Sequence, residues 1–213
     1  MIKSQSGVTL ISLLIGLLIA MLCMIGLLSA YRTIAKTGVE SRMDATHDTQ
    51  LQNGLIASQM MIQNAGFGLE GDTNLKSANI TIGSNSTPAL LWRYKVGGTV
   101  SCQGLADIAD SSKRKLVTLT ASTGCDDTSV LDTLTWETDK TLAHLTDFSG
   151  STNNQQVTYT VTQSTDCTMF GSVNTGSGQH PRVTLSTKTS TQQHNSLGLG
   201  SIQVPICILN ITS

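Results

Sequence analysis

A long apolar run near the start of the chain sets the first prediction. Val8–Ala30 contains no charged residue, and as an α-helix it would extend roughly 34 Å at about 1.5 Å per residue. That length crosses the ~30 Å hydrocarbon core of a bilayer with some tilt. A secretory signal peptide fits poorly, because its apolar stretch is about 7–15 residues long and is followed by a cleavage site. The run therefore predicts a membrane anchor that stays in the protein.

The helical pattern continues after the apolar run and becomes amphipathic. Five positions with a 4-3-4-3 spacing share one helical face; they are Leu51, Leu55, Ser58, Ile62 and Ala65. Gly66 follows as a glycine typically follows a helix C-terminus. Gly38 and Gly54 lie inside the pattern and are expected to be weak or bent points, since glycine costs about 1 kcal/mol against alanine in a helix. We predict one helix, transmembrane over 8–30 and amphipathic over 31–65.

The rest of the chain, 66–213, predicts a β-rich domain of ordinary size. Short runs rich in β-branched and aromatic residues alternate with turn-forming segments. The predicted strands are Ala89–Val96, Leu116–Ala121, Val130–Glu137, Val157–Val161, Val183–Thr187 and Ile202–Ile211. Pro205 lies inside the last strand and indicates an edge strand or a bulge, because proline donates no ladder hydrogen bond. The predicted fold class is α+β.

Composition and charge narrow the possible classes of function. Charged residues make up 13% of the chain and the net charge is −1, against a usual charged fraction of about 25%. A net charge this small creates no overall electrostatic field that would attract nucleic acid. No second apolar run approaches the length that spans a bilayer. The basic triplet Lys113–Lys115 is interpreted as a solvated turn before a strand rather than as a DNA contact. We predict no nucleic-acid partner and only one membrane span.

The cysteines indicate an oxidising compartment. Of five cysteines, Cys23 lies in the apolar run and is expected to be a small packing residue. The other four, Cys102, Cys125, Cys167 and Cys207, include no C-x-x-C pair. They allow three pairings, of which we prefer Cys102–Cys125 and Cys167–Cys207, since nearest pairings are common in hairpin-like segments. Such bridges form in a periplasm or outside the cell.

No catalytic or metal-binding constellation stands out in the sequence. The four histidines, His47, His144, His180 and His194, are scattered and form no H-E-x-x-H motif; His47 is expected to be solvated on the polar part of the helix. The aspartates Asp107, Asp110, Asp126 and Asp127 lack the alternating spacing of a calcium loop. Neither a G-x-S-x-G nor a Walker-type motif is present. We predict no enzyme activity, no metal and no cofactor.

Two short stretches carry a family resemblance. Met1–Gly7 reads MIKSQSG, a polar segment with one cation that ends in glycine, and VTLIS follows it. This resembles the prepilin signal of type IV pilins and type II secretion pseudopilins. Met61–Gly71, MIQNAGFGLEG, is similar to the stretch that closes the long helix in PilW-type minor pilins.

The resemblance implies a processing step and a fold. In the family a prepilin peptidase cuts after the glycine, so 1–7 would be a leader, the cut would fall between Gly7 and Val8, and Val8 would become a methylated N-terminus. The implied fold is the type IV pilin fold, a long N-terminal helix packed on a C-terminal antiparallel β-sheet domain. The apolar half of the helix lies in the membrane before assembly and in the filament core afterwards.

One position departs from the family in a way that bears on assembly. Ser12 stands where most members have Glu, the fifth residue after the cut, which is thought to pair with the N-terminal ammonium of a neighbouring subunit. A carboxylate in an apolar core is costly unless paired, and Ser avoids both the cost and the pairing. We interpret Ser12 as a feature of a subunit at or near the filament tip; tolerated drift is the alternative.

The function that the resemblance implies is that of a PilW-like minor pilin, which primes or caps type IV pilus assembly and supports twitching motility, adhesion or DNA uptake. Its partners would be the other minor pilins and the major pilin, the prepilin peptidase, the inner-membrane assembly platform and, before assembly, the lipid bilayer. Its location would be the inner membrane with a periplasmic C-terminal domain, then the pilus. The alternatives are a J-like type II secretion pseudopilin, a membrane-anchored periplasmic enzyme or binding protein, and a tip adhesin that binds through Asn174–Pro181.

Overall fold

The computed structural model describes residues 10–111, 113–146, 154–164, 167, 180–190 and 201–211. The chain divides into two compact units, Met1–Asp44 and Ala45–Ser213. We call the second one the globular unit. Among the described residues, one α-helix contributes to both units, and the strands belong to the globular unit. The coarse prediction of an α+β protein with a long N-terminal helix and a C-terminal antiparallel sheet domain is confirmed.

Helix α1 spans Leu10–Ile62, within the predicted 8–65. The chain leaves it through tightened turns, in which the N–H of Ala65 donates to the carbonyl of Ile62 at 2.9 Å. Gly66 then adopts φ 76°, and its N–H donates to the carbonyl of Arg93 at 2.8 Å. A residue with a Cβ is disfavoured at such an angle, so the sequence signal for the helix end has a direct conformational cause.

The buried stripe of α1 matches the predicted face but begins earlier. Its residues in the globular unit are His47, Leu51, Gly54, Leu55, Ser58 and Ile62. The prediction of a solvated His47 is wrong, since its residue surface is only 3% exposed. Gly54 marks a close approach: a Cβ there would lie 2.9 Å from Ala143 Cβ, closer than side chains pack. Glycine at this position therefore lets the helix pack tightly on a strand.

A five-stranded antiparallel meander forms the larger sheet. Its strands are β1 (Leu75–Ile82), β2 (Asn85–Val96), β3 (Thr99–Asp110), β4 (Lys113–Ala121) and β5 (Trp136–Leu145), paired in chain order. Between β2 and β3 the hairpin turn is Gly97–Gly98, and both glycines have positive φ. Two consecutive positive φ angles give the two-residue turn that matches the twist of paired strands. Tight turns of this kind keep sequential strands adjacent.

A second, three-stranded antiparallel sheet completes the globular unit. It consists of β6 (Val157–Ser164), β7 (His180–Thr187) and β8 (Ile202–Cys207), in the order β6-β7-β8. Because β8 is an edge strand, Pro205 within it is tolerated, as the sequence predicted. A short 3-10 helix, Leu131–Thr133, precedes β5.

Two apolar clusters cover opposite faces of the larger sheet. In β2, Leu90 and Trp92 belong to a cluster with α1 and the smaller sheet, whereas Ala89 and Leu91 belong to a cluster with β3, β4 and the 3-10 segment. Burial on both faces explains why the run Ala89–Trp92 is apolar without alternation. The larger sheet is thus the central layer of the globular unit.

The predicted strand Val130–Glu137 is wrong over most of its length. Leu131–Thr133 is a 3-10 turn, and the strand begins only at Trp136. The indole Nε1 of Trp136 donates to the carbonyl of Leu131 at 2.9 Å, which folds the segment back under the indole instead of extending it. A local hydrogen bond thereby overrides the β propensity of the run.

Two disulfides connect distant parts of the globular unit. Cys102 in β3 is bonded to Cys125, and Cys167 is bonded to Cys207 in β8. These are the two pairs preferred from the sequence. Cys23 is the one free cysteine and is exposed. Two formed bridges are consistent with a globular unit that folds in an oxidising compartment.

Candidate functional surface

The apolar part of α1 exposes its side chains on all sides. We call Leu10–Ala30 the apolar segment. Its large side chains are 51% to 77% exposed, from Leu17 to Leu10. It is the N-terminal part of α1, the one helix in the described residues that could span a membrane, whose most apolar window has a mean hydropathy of 2.8. So much exposed apolar surface requires lipid or protein around it in the cell.

Small residues form a stripe along the apolar segment, a feature not singled out from the sequence. Ser12, Gly16 and Ala20 follow one another at four-residue spacing, and Cys23 and Ala30 fall on the same helical face at 100° per residue. A Cβ added at Gly16 would contact nothing within 4 Å. Stripes of small residues let helices approach closely in membranes, so this face is suited to packing against another helix.

The structure describes only some of the residues that were predicted from the prepilin resemblance. Gly7 and Val8 lie outside the described residues. Ser12 lies on the first described turn of α1 and is exposed. In the loop proposed for a tip adhesin, 174–179 lie outside the described residues, while His180 and Pro181 open β7.

A buried ion pair links the two sheets of the globular unit. Arg114 Nε donates to Asp107 Oδ1 at 2.8 Å, with 9% of the Arg114 side chain and none of the Asp107 side chain exposed. The other carboxylate oxygen accepts the N–H groups of Gln156 and Val157 at the start of β6. Burial raises the pKa of Asp107, while the guanidinium and the two N–H groups oppose that shift. The carboxylate therefore serves as an acceptor that joins β3, β4 and β6.

This pair corrects the interpretation of the basic triplet Lys113–Lys115. The triplet forms the first residues of β4 rather than a turn, and its central residue, Arg114, is buried. Asp107 is likewise an internal partner instead of a candidate calcium ligand. Nearby, Tyr159 Oη is buried without a hydrogen-bond partner in the described part of the chain, and burial raises its pKa well above the ordinary value.

A second buried cation, Arg93, was not singled out from the sequence. Its guanidinium donates to Asn74 Oδ1 at 2.7 Å, to Thr73 Oγ1 at 3.0 Å, and to the carbonyls of Asp126 and Ser129 at 3.1 and 2.6 Å. These acceptors come from the loop before β1 and the loop after Cys125. Arg93 therefore holds two loops on the sheet, beside the first disulfide.

A third polar contact connects α1 with the segment after β7. Asp48 accepts hydrogen bonds from the backbone N–H and the hydroxyl of Ser190, at 2.8 and 2.9 Å. His47 Nδ1 lies 3.1 Å from the same carboxylate. Burial raises the pKa of Asp48, but the hydrogen bonds from Ser190 and His47 outweigh it and leave the pKa below its ordinary value.

The lowered pKa of Asp48 predicts an acid-sensitive contact. A carboxyl group whose pKa is lower in the folded state stabilises the fold above its unfolded pKa and loses that contribution as the pH falls through the folded value. Asp48→Asn should lower the free energy of unfolding by about 1 kcal/mol at pH 6. The difference should shrink as the pH falls below 3.8 and vanish once the pH is below the lower pKa of the folded state. Denaturation of the full chain in detergent, followed by tryptophan fluorescence, measures this. Asp139→Asn, at an exposed strand position, is the control; a difference that persists in acid would contradict the assignment.

The polar clusters of the globular unit serve the fold and offer no reactive arrangement in the described residues. No group of three His, Cys, Asp or Glu side chains that could hold a metal occurs there. The strongest candidate for function is therefore the apolar segment with its small-residue stripe. No protein-family model, no curated protein and no solved structure matches this chain.

Proposed function

We propose that this chain is a PilW-like minor pilin of a type IV pilus, with the type IV pilin fold and no catalytic reaction of its own. The supporting observation is that the two ends of α1 differ in their surroundings. Leu10–Ala30 is apolar and exposed on all sides, whereas the stripe from His47 to Ile62 is buried in a disulfide-bonded β-rich unit. An anchor that continues directly into a folded unit suits a subunit that moves from a bilayer into a fibre.

The proposed mechanism is assembly. The prepilin peptidase removes 1–7 and leaves Val8 as the methylated N-terminus, so the apolar segment stays in the inner membrane with the globular unit in the periplasm. Assembly then transfers this segment from lipid into a bundle of similar helices. Because lipid is about as apolar as those helices, apolar burial drives this step weakly. The remaining free energy for the transfer comes from close packing along the Ser12–Gly16–Ala20 face and from the assembly platform with its motor.

Cells that lack this chain test the proposal. We expect loss of surface pili with protein export unchanged, and recovery of pili when the native chain is supplied in trans. The chain should also be present in filaments sheared from the cell surface. Normal pili together with lost export would contradict the pilus assignment and favour the type II secretion pseudopilin.

Ser12 provides a sharper test of the proposed tip position. With Ser12→Glu the subunit gains the carboxylate that pairs with a neighbouring N-terminal ammonium, so it should enter the shaft and alter the number of filaments per cell by severalfold. Ser12→Ala, which adds no charge, is the matched control. The measurement is filament counting by electron microscopy together with immunogold labelling of the subunit. Unchanged number and placement in the Glu variant would contradict the tip assignment.

A further inference from the structure

The charged residues that follow the apolar segment change sign with their distance from it: the nearest are basic, and the first acidic residue lies further along the helix. Taking Ala30 as the end of the apolar surface, Arg32 lies about 3 Å further along the helix axis, Lys36 about 9 Å and Glu40 about 15 Å. The headgroup layer on one side of a bilayer is about 5–7 Å thick. The two nearest charges are thus both cations: Arg32 lies within the headgroup layer, and Lys36 lies about 2 Å beyond it, where its long side chain can reach back to the headgroups. Glu40, the first acid, lies about 8 Å beyond the layer.

The side chains at this level are free to meet a membrane surface. Arg32 is exposed and lies one helical turn before Lys36, so the two share a face. The Lys36 side chain is 78% exposed, and its one described ion pair, with Glu40, is open at 3.8 Å. Side chains on a helix lean toward its N-terminus, which directs both cations toward the bilayer. Tyr31, 70% exposed, occupies the position where aromatic residues mark membrane interfaces.

The orientation of the chain makes these cations unusual. If the disulfide-bonded unit lies in the periplasm, as the proposed function requires, then Arg32 and Lys36 flank the span on its outer side. On the opposite flank, Met1–Gly7 contains one cation, Lys3, whereas positive residues usually gather on the cytoplasmic side. The topology rule therefore does not account for the two cations, and a binding role does.

We propose that Arg32 and Lys36, with Tyr31, form a binding site for acidic phospholipid headgroups in the leaflet that faces the globular unit. The partner is a lipid surface that carries phosphodiester anions, such as phosphatidylglycerol. Each cation near an anionic membrane surface contributes about a fivefold increase in binding. This contact fixes the depth of the anchor before assembly and is released when the subunit leaves the bilayer.

The experiment measures which lipid surrounds the end of the span. The full chain carrying Tyr31→Trp is reconstituted in mixed phosphatidylglycerol and phosphatidylcholine vesicles, with one lipid brominated at a time. Bromine quenches a nearby tryptophan, so the ratio of the two quenching curves gives the relative affinity for the acidic lipid. The native tryptophans, Trp92 and Trp136, are buried in the globular unit and are subtracted with the unsubstituted chain.

We expect at least a fivefold preference for phosphatidylglycerol that weakens with salt. The Arg32→Gln, Lys36→Gln double variant should lose the preference. Arg42→Gln, which removes one positive charge about 18 Å beyond Ala30, should keep it, and Glu40→Gln should increase it by releasing Lys36. Circular dichroism checks that each variant keeps its helix.

Equal affinity of the Tyr31→Trp chain for both lipids, or equal loss in Arg42→Gln, would overturn the proposal and point to an acidic protein partner. The result is independent of pilus assembly in the cell. Failure of the lipid preference is therefore distinguishable from failure of the proposed function, which is measured on cells and on the mature N-terminus.

Discussion

Replacing Arg114 with methionine should destabilise the globular unit by about 3–5 kcal/mol, because it leaves the fully buried Asp107 carboxylate without its cation. The same carboxylate holds the first N–H groups of β6, so the smaller sheet should loosen first. The measurement is denaturant unfolding of the full chain in detergent, with fluorescence of the buried Trp92 and Trp136 as the reporter.

Two further variants test whether the loss of stability comes from the unpaired Asp107 carboxylate. Lys113→Met, at the exposed neighbouring position in β4, is the matched control and should change stability by less than about 0.5 kcal/mol. The double variant Asp107→Asn, Arg114→Met removes both charges but keeps an oxygen that can accept the N–H groups of Gln156 and Val157. It should recover most of the loss, because the cost of an unpaired buried charge is gone. A double variant as unstable as the single one would contradict a penalty that arises from the unpaired carboxylate.

Removal of the Cys167–Cys207 disulfide should cost about 4 kcal/mol. The two cysteines are 40 residues apart in the sequence, and loop-closure entropy sets the stabilisation of the folded state. Removal of Cys102–Cys125, with a separation of 23 residues, should cost about 3.5 kcal/mol by the same relation. Paired alanine variants and the denaturation assay described above provide the comparison.

Cys23→Ala is the control for these variants, because Cys23 is exposed and unbridged and should leave the stability of the globular unit unchanged. Chemical reduction of the native chain should reproduce the combined loss. Paired alanine variants as stable as the native chain would show that these bridges do not constrain the unfolded chain.

The sequence predicted the helix well because its signal is repeated over many residues. Leu51, Leu55, Ser58 and Ile62 share one face in the sequence and are buried in the structure. His47 was misinterpreted from its intrinsic preference, and the close packing at Gly54 was not predicted. Their surroundings decide both cases: Asp48 partners the ring of His47, and Ala143 closes on Gly54. The contact between Gly54 and Ala143 joins residues far apart in sequence and leaves no periodic signal.

Strands were harder to predict than the helix. β1 and β3 were missed because Asn79 and Gly104, with other polar or small residues, interrupt their apolar pattern. At Gly104 the structure supplies the reason, since an added Cβ would lie 2.9 Å from Leu91 Cδ2. The pairing of Arg114 with Asp107 was hidden for a similar reason: the two residues are brought together by the β3–β4 register, and charge patterns along the sequence indicate solvent exposure by default.

Of the candidate surface, only the apolar run was predicted from the sequence, because it depends on composition. The cysteine pairs of the globular unit were also predicted, because four cysteines allow few pairings. The small-residue stripe and the order of Arg32, Lys36 and Glu40 along the axis depend on a helix that is continuous from Leu10 through Glu40, as was predicted and as the structure shows. Once that continuity is established, the angle and height of every residue along the axis follow.

The mature N-terminus of the protein purified from its own membranes tests the central claim most directly. Mass spectrometry of the intact chain and of its first peptide should find Val8 as the first residue, carrying one methyl group, with the whole apolar segment retained. A chain that begins after Ala30, or that functions normally while still carrying Met1–Gly7, would contradict the account.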